Sequence, residues 1–343
     1  MIRRYRPIAA AVIACTAVTA VAAATLSSPA GEAEAMLERL AQADGRVGAI
    51  AFRLLAGGVP LCRETAPASG LLFHDVRQYS AELRPAAARA FGFAGRPVVL
   101  AVAPGSPAAL AGIRAGDTIR AIGGVPVAEI RPASPDRRRQ GNEATEDIEA
   151  RLQAAMEQGA VLLEVASDGV ARNIQLQPAP ACASTVQLEP GNDFNAWSDG
   201  QAVAITTALA DATRSDDELA ALIGHEIAHN ILGHRRTLAG QGIGKGIFSR
   251  IGAKARKVRV TEAEADYLGV YLAARAGYDP TAAAAFWRRE GSRHDGGPFA
   301  DSTHPAWRER ETELARAAAE IAGKRIRAEP IVPEPFRASG SAR

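Results

Sequence analysis

The chain opens on an apolar run from Pro7 to Leu26, preceded by Arg3, Arg4 and Arg6 and followed by Ser27-Ser28-Pro29-Ala30. Beyond it the apolar positions become periodic. Met36, Leu37 and Leu40 predict a short amphipathic helix over 31–44, and Val47 to Leu55 predicts a strand. Residues 60–90 hold no sustained period and read as loop; His74 within them reads as structural. Val98–Val102 and Thr118–Ile122 are strand-like runs separated by the turns Pro104-Gly105-Ser106-Pro107-Ala108 and Gly112-Ile113-Arg114-Ala115-Gly116-Asp117. Ile148, Leu152 and Met156 share one face of a helix over 143–158. Two strands, 161–165 and 171–176, flank Asp168-Gly169, a hairpin signal. Gln201 to Ile205 reads as a further strand. Leu219, Leu222, Ile223 and Ile227 then mark a helix, whose start carries Ser215 and Glu218 in capping-box spacing. A second helical pattern follows through Ala265, Leu268 and Val270-Tyr271. The expected fold class is α+β, a β-rich module followed by a mainly helical one.

Length and composition narrow the function. A chain of 343 residues holds about two domains. Its net charge of +2 excludes the basic surplus of a nucleic-acid binder, and 47% hydrophobic against 23% charged residues excludes a mostly disordered chain. The basic start, apolar run and small residues have the layout of a secretory signal. A cleaved signal, an uncleaved anchor and a lipidated Cys15 all fit, and all put the remaining chain in the periplasm or cell envelope. In that oxidising setting Cys62 and Cys182 either pair or stay as buried thiols.

The chemistry concentrates in His225-Glu226-Ile227-Ala228-His229. On a helix, residues four apart share a face, so both imidazoles reach one metal ion. Zinc favours such nitrogen ligands and acidifies its water, from which Glu226 can take a proton as general base. A catalytic zinc needs a third protein ligand and an open position. Glu262 and Asp266, again four apart, supply one ligand and one partner to orient a histidine. Glu264 points to another face and reads as a surface carboxylate. His234 lies about 140° beyond His229 on a continuous helix and reads as structural. His294 reads as solvated. The glycine-rich, basic stretch 239–260 suits a lid, a contact with anionic lipid, or a plain surface loop.

Two resemblances extend these readings. Pro104 to Ala108 with Ala111 to Asp117 resembles the PDZ domains of bacterial envelope proteases. This implies a peptide groove between the strand near Val98 and the helix at 143–158, with Phe91-Gly92-Phe93 as the carboxylate loop. Arg137-Arg138-Arg139 reads as an inserted, solvated loop. Asn195-Ala196-Trp197, the H-E-x-x-H helix, Glu262 with Asp266, and Ser302-Thr303-His304-Pro305 resemble the HtpX-like and CAAX-prenyl-endopeptidase family of zinc metallopeptidases. The resemblance implies one zinc per chain on His225, His229 and Glu262, with Glu226 as base and Asp266 orienting His225. It implies that His304 and Arg310 stabilise the oxyanion, or that His304 gates the zinc. It implies an edge strand at 201–205 binding extended substrate, with Asn195 and Val203 as contacts.

The expected layout is a signal or anchor at 1–30, an N-terminal segment at 31–90, a PDZ domain at 91–180, a zincin-type peptidase domain at 186–323 with a small edge sheet, and a flexible tail at 324–343. The expected function is exported zinc endopeptidase cleavage of envelope proteins, with protein or peptide substrates, no nucleic acid, and room for membrane association through an N-terminal anchor or lipid. The alternatives are a non-proteolytic chaperone holding peptides in the PDZ groove and a structural zinc protein.

Overall fold

A computed structural model describes residues 29–93, 95–127, 143–243, 252–291 and 307–334. The expectations for residues 1–28, Arg137-Arg138-Arg139, His294, His304 and positions 244–251 lie outside the described residues.

The N-terminal helix and strand expected at 31–44 and 47–55 are a single helix, α1 (Pro29–Gly57). Val47, Ile50 and Leu54 are β-branched or bulky enough to suggest a strand, but their spacing also fits a helix face. That face is buried in the main core, and tertiary packing decides the outcome. Gly45 and Gly48 let α1 lie close on a sheet: a Cβ at Gly48 would stand 2.8 Å from Leu72 Cδ1, and one at Gly45 3.2 Å from Ala101 Cβ.

That sheet follows in sequence. The elements of this region are β1 (Thr65–Ala68), β2 (Leu71–His74), α2 (Arg84–Phe91), β3 (Val98–Val102), α3 (Pro107–Leu110), β4 (Thr118–Ile122), β5 (Val125–Pro126), α4 (Glu143–Glu157), β6 (Val161–Ser167), β7 (Val170–Leu176) and β8 (Ala179–Cys182). Strands run in the order β2-β3-β4-β6-β7, with β5 beside β4. Asp168 and Gly169 both take positive φ, 49° and 81°, as a two-residue type I′ hairpin requires. Ile148, Leu152 and Met156 of α4 close the core over Val99, Ile119, Leu163 and Leu176. The expected groove strand β3 is not an edge, because β2 and β4 pair with its two sides. The edge on that side of the sheet is β2. Phe91 ends α2 and Gly92 caps it in the left-handed region. The rings of Phe91 and Phe93 each lie 4.6 Å from His74, whose Nδ1 is 2.7 Å from the Tyr79 hydroxyl. This Phe-Gly-Phe stretch is an aromatic packing cluster rather than an open loop.

Strands β1 and β8 form a separate antiparallel ribbon, and Cys62 is disulfide-bonded to Cys182 with a Cα–Cα distance of 5.6 Å. In the chain-entropy model, closing a loop of that length is worth about 4–5 kcal/mol.

The second half holds β9 (Thr185–Glu189), β10 (Ala196–Ser198), β11 (Ala202–Thr206), α5 (Thr207–Ala212), α6 (Asp216–Leu232), α7 (His234–Gly240), α8 (Gly252–Arg275), α9 (Ala282–Glu290) and α10 (Trp307–Ile326). The three strands are ordered β10-β11-β9, so the strand expected at the edge, β11, is central and β10 and β9 are the edges. Val203 is 0% exposed in the core and cannot touch a substrate. Beyond α10 the described residues, as far as Glu334, are held to the domain. Arg275 Nη1 donates to Ile331 O at 3.1 Å, and Lys324 Nζ donates to Glu334 at 2.9 Å.

Helices α6 and α8 meet backbone to backbone. A Cβ on Gly224 would lie 3.0 Å from Gly269 O, and one on Gly269 would lie 2.9 Å from His225 N. Only glycine on both helices permits this approach. Gly269→Ala is therefore expected to force the helices apart and cost about 1–3 kcal/mol in denaturant unfolding. Gly240→Ala, with nothing within 4 Å of the added Cβ, is the control and should unfold like the wild type.

Candidate metal centre and catalytic site

Helix α6 begins where the Ser215 side chain accepts from the Glu218 N–H at 3.2 Å. Only this half of the capping box forms. The Glu218 carboxylate instead accepts from the Arg214 N–H at 2.8 Å and from the Arg289 guanidinium of α9. Just beyond His229, Asn230 ties α6 to the small sheet. Its Nδ2 donates to Ser184 Oγ at 2.9 Å, and its Oδ1 accepts from the Gly200 N–H at 2.8 Å.

The close helix crossing brings Glu262 of α8 opposite His225 and His229 of α6. His225 Nε2 and His229 Nε2 are 3.2 Å apart, and Glu262 oxygens lie 3.4 Å and 3.5 Å from them. Four ligands at zinc's usual distance of about 2.0–2.1 Å define a tetrahedron with edges of about 3.3–3.4 Å. Two imidazole nitrogens and a carboxylate, whose Oε2 faces His225 and Oε1 faces His229, fit zinc in number, chemistry and spacing. Among the described residues this is the one such cluster of histidine, cysteine or carboxylate ligands.

Each histidine is oriented from behind. His225 Nδ1 is 2.8 Å from Asp266 Oδ1, so the ring donates there and turns Nε2 to the triangle. Asp266 in turn accepts from Arg310 Nε at 2.8 Å and Nη2 at 2.5 Å. Arg310 is 4% exposed, and its guanidinium lies 4.0 Å above the Trp287 ring. From this position it also lines, with His225 and Glu226, the cavity beside the ligand triangle. Burial opposes charge on Asp266, but Arg310 and His225 outweigh it and hold the carboxyl down at about 2. Burial likewise opposes charge on His225. The neighbouring Asp266 outweighs it and raises the metal-free imidazole to about 10.

His234 does not lie where a continuous helix would carry it. Helix α6 stops at Leu232, and Gly233 turns the chain at φ 67°. The His234 ring returns to His229, Nδ1 to Nδ1 at 2.9 Å, and its Nε2 is 3.1 Å from Glu264 Oε2. Burial pushes the His234 pKa down. The one signal for this arrangement is the glycine between Leu232 and His234.

Beside the triangle is a cavity of about 90 Å³. His225 and Glu226 line it together with Asn195, Asp266, Phe286 and Arg310. Asn195 thus lies next to the chemistry as expected. Its backbone is occupied by Thr206, whose N–H donates to Asn195 O at 3.0 Å. Glu226, one residue from a ligand, reaches the cavity without joining the triangle.

Comparison with known proteins gives matches to two family models. Residues 98–135 match the model of the PDZ domain. Residues 160–261 and 242–318 match that of peptidase family M48, a match that begins within the six-stranded sheet. The chain is 31% identical over 137 residues to the mitochondrial metalloendopeptidase OMA1 of Arabidopsis thaliana, covering 34% of this chain and 27% of that protein.

Removing Arg310 should leave the Asp266 charge buried without its partner. Arg310→Met is expected to destabilise the fold by about 3–5 kcal/mol in denaturant unfolding; an oxyanion role alone would leave stability unchanged. The chain carries a PDZ domain and, behind it, a domain of peptidase family M48, the zincin-type metallopeptidases.

Proposed function

We propose that this protein is an exported zinc endopeptidase that hydrolyses peptide bonds of envelope proteins, with its PDZ domain recognising the substrate chain. The observation that carries the reading is the ligand cluster of His225, His229 and Glu262 with Glu226 lining the adjoining cavity. Bound zinc supplies Lewis acidity and an acidified water at its open position. The chain supplies the rest. Asp266 and Arg310 keep the His225 ring fixed. Glu226 accepts a proton from the attacking water and returns it to the leaving amine. The free edge of β10, Ala196–Ser198, offers backbone groups to an extended peptide, and β2 of the PDZ sheet offers a second edge. Misfolded or unassembled proteins present such extended segments, which makes quality control the natural role.

The N-terminal basic and apolar run supports export, and the disulfide suits an oxidising compartment. Among the described residues no helix is long and apolar enough to cross a membrane. The membrane association in this reading therefore rests on residues before α1.

Glu226→Gln tests the mechanism. It keeps the side chain's shape and removes the base, so cleavage of an unfolded protein is expected to fall by about 10²–10⁴-fold while zinc content stays at one per chain. Unchanged cleavage would contradict the mechanism. A wild-type chain that binds unfolded protein without cutting it, with zinc present, would favour the chaperone reading instead.

A further inference from the structure

We infer that His234 and Glu264 are positioning residues, forming a relay that fixes the ring of His229 for metal binding. The inference rests on the metal site proposed above and adds two residues to it.

The atoms leave one consistent arrangement. Glu264 Oε2, as a carboxylate, only accepts, so the His234 Nε2 at 3.1 Å carries the proton between them. In a neutral imidazole the other nitrogen is then an acceptor. The Nδ1 atoms of His234 and His229 are 2.9 Å apart, and one of them must donate. His234 Nδ1 accepts, so His229 Nδ1 donates. His229 Nε2 then keeps its lone pair, and this is the atom that faces His225 Nε2 and Glu262. Reversing any one of these bonds puts a proton on the nitrogen that must bind the metal.

The fold builds this contact deliberately into the chain direction. Were α6 to continue, His234 would sit about 140° round the helix from His229. Gly233 at φ 67° ends the helix instead, and α7 starts with His234 turned back under His229. His234 is buried at 4% exposure, and α8 supplies Glu264 from the turn that also supplies Glu262 and Asp266. The two ligand histidines therefore have separate supports. His225 rests on Asp266 and the buried Arg310. His229 rests on a second imidazole, whose carboxylate partner is partly exposed.

The test uses the full-length chain and two readouts. The first is the affinity for zinc alone, measured against a competing chelator. The second is the imidazole nitrogen spectrum of isotope-labelled, metal-free chain, which shows which nitrogen of His229 holds a proton. The wild type is expected to carry the His229 proton on Nδ1. Glu264→Ala and His234→Phe should spread it over both nitrogens and weaken zinc binding by about 10–100-fold. Glu264→Gln, whose amide oxygen still accepts from His234 Nε2, should restore both readouts towards wild type. A purely structural role would lower stability without moving the His229 proton. Should His234→Phe fail to fold, Glu264→Ala carries the test from its partly exposed position. Wild-type zinc affinity and an unmoved proton in Glu264→Ala would overturn the relay. A wild-type chain that binds no zinc contradicts the metallopeptidase reading itself, and the metal-free spectrum still decides the relay.

Discussion

The site depends on how closely α6 and α8 approach. Gly224 and Gly269 let the two backbones touch, with a Gly269 Cβ position only 2.9 Å from His225 N. A side chain at either glycine would hold the axes apart. The carboxylates of α8 would then no longer reach the imidazoles of α6 within the 3.2–3.5 Å seen in the ligand triangle. The other features serve this contact. The long helix α1 packs Val47, Ile50 and Leu54 into the core that the two helices share, and the Arg289–Glu218 pair fastens the start of α6 to α9. The disulfide, between the segment just after α1 and β8, fixes the same side of that core.

Close packing of charged and polar groups has a cost, and the structure meets it by pairing. Glu262, Asp266 and Arg310 are all buried, and a lone buried charge is strongly destabilising. Asp266 accepts from both His225 and Arg310, so its charge is compensated on two sides. This network does two things at once. It keeps the core stable, and it aims the metal-facing nitrogen of His225. Stability and ligand geometry are therefore coupled here, and changes behind the histidines reach the site without touching a substrate.

Much of the site is legible in the sequence because helical spacing does the placing. His225 and His229, and Glu262 and Asp266, are four residues apart, and regular helices carry those positions to one face. What lies beyond a break in regularity is not legible. A continuous helix would take His234 away from the site; a single left-handed glycine brings it back. Glu264 acquires a role only through that return. The spacing of Arg310 places it at the cavity, which it lines, but its two-bond hold on Asp266 shows only in the packing of α10 against α8. The same limit holds for the fold. Val47 and Ile50 suit a strand by propensity and a helix by position, and only burial against α6 and α8 selects the helix. Strand β11 is apolar from Ala202 to Ile205, which marks it as buried but not whether it is central or an edge; pairing with both β9 and β10 makes it central. Hairpins with their own turn residues, such as β6–β7, need no such context.

X-ray absorption at the zinc edge on the purified chain tests the central claim most directly. The account predicts one zinc per chain, bound by two imidazole nitrogens and oxygen at about 2.0–2.1 Å with one position open to water. Sulfur at about 2.3 Å, a closed shell of four protein ligands, or no bound zinc would contradict it.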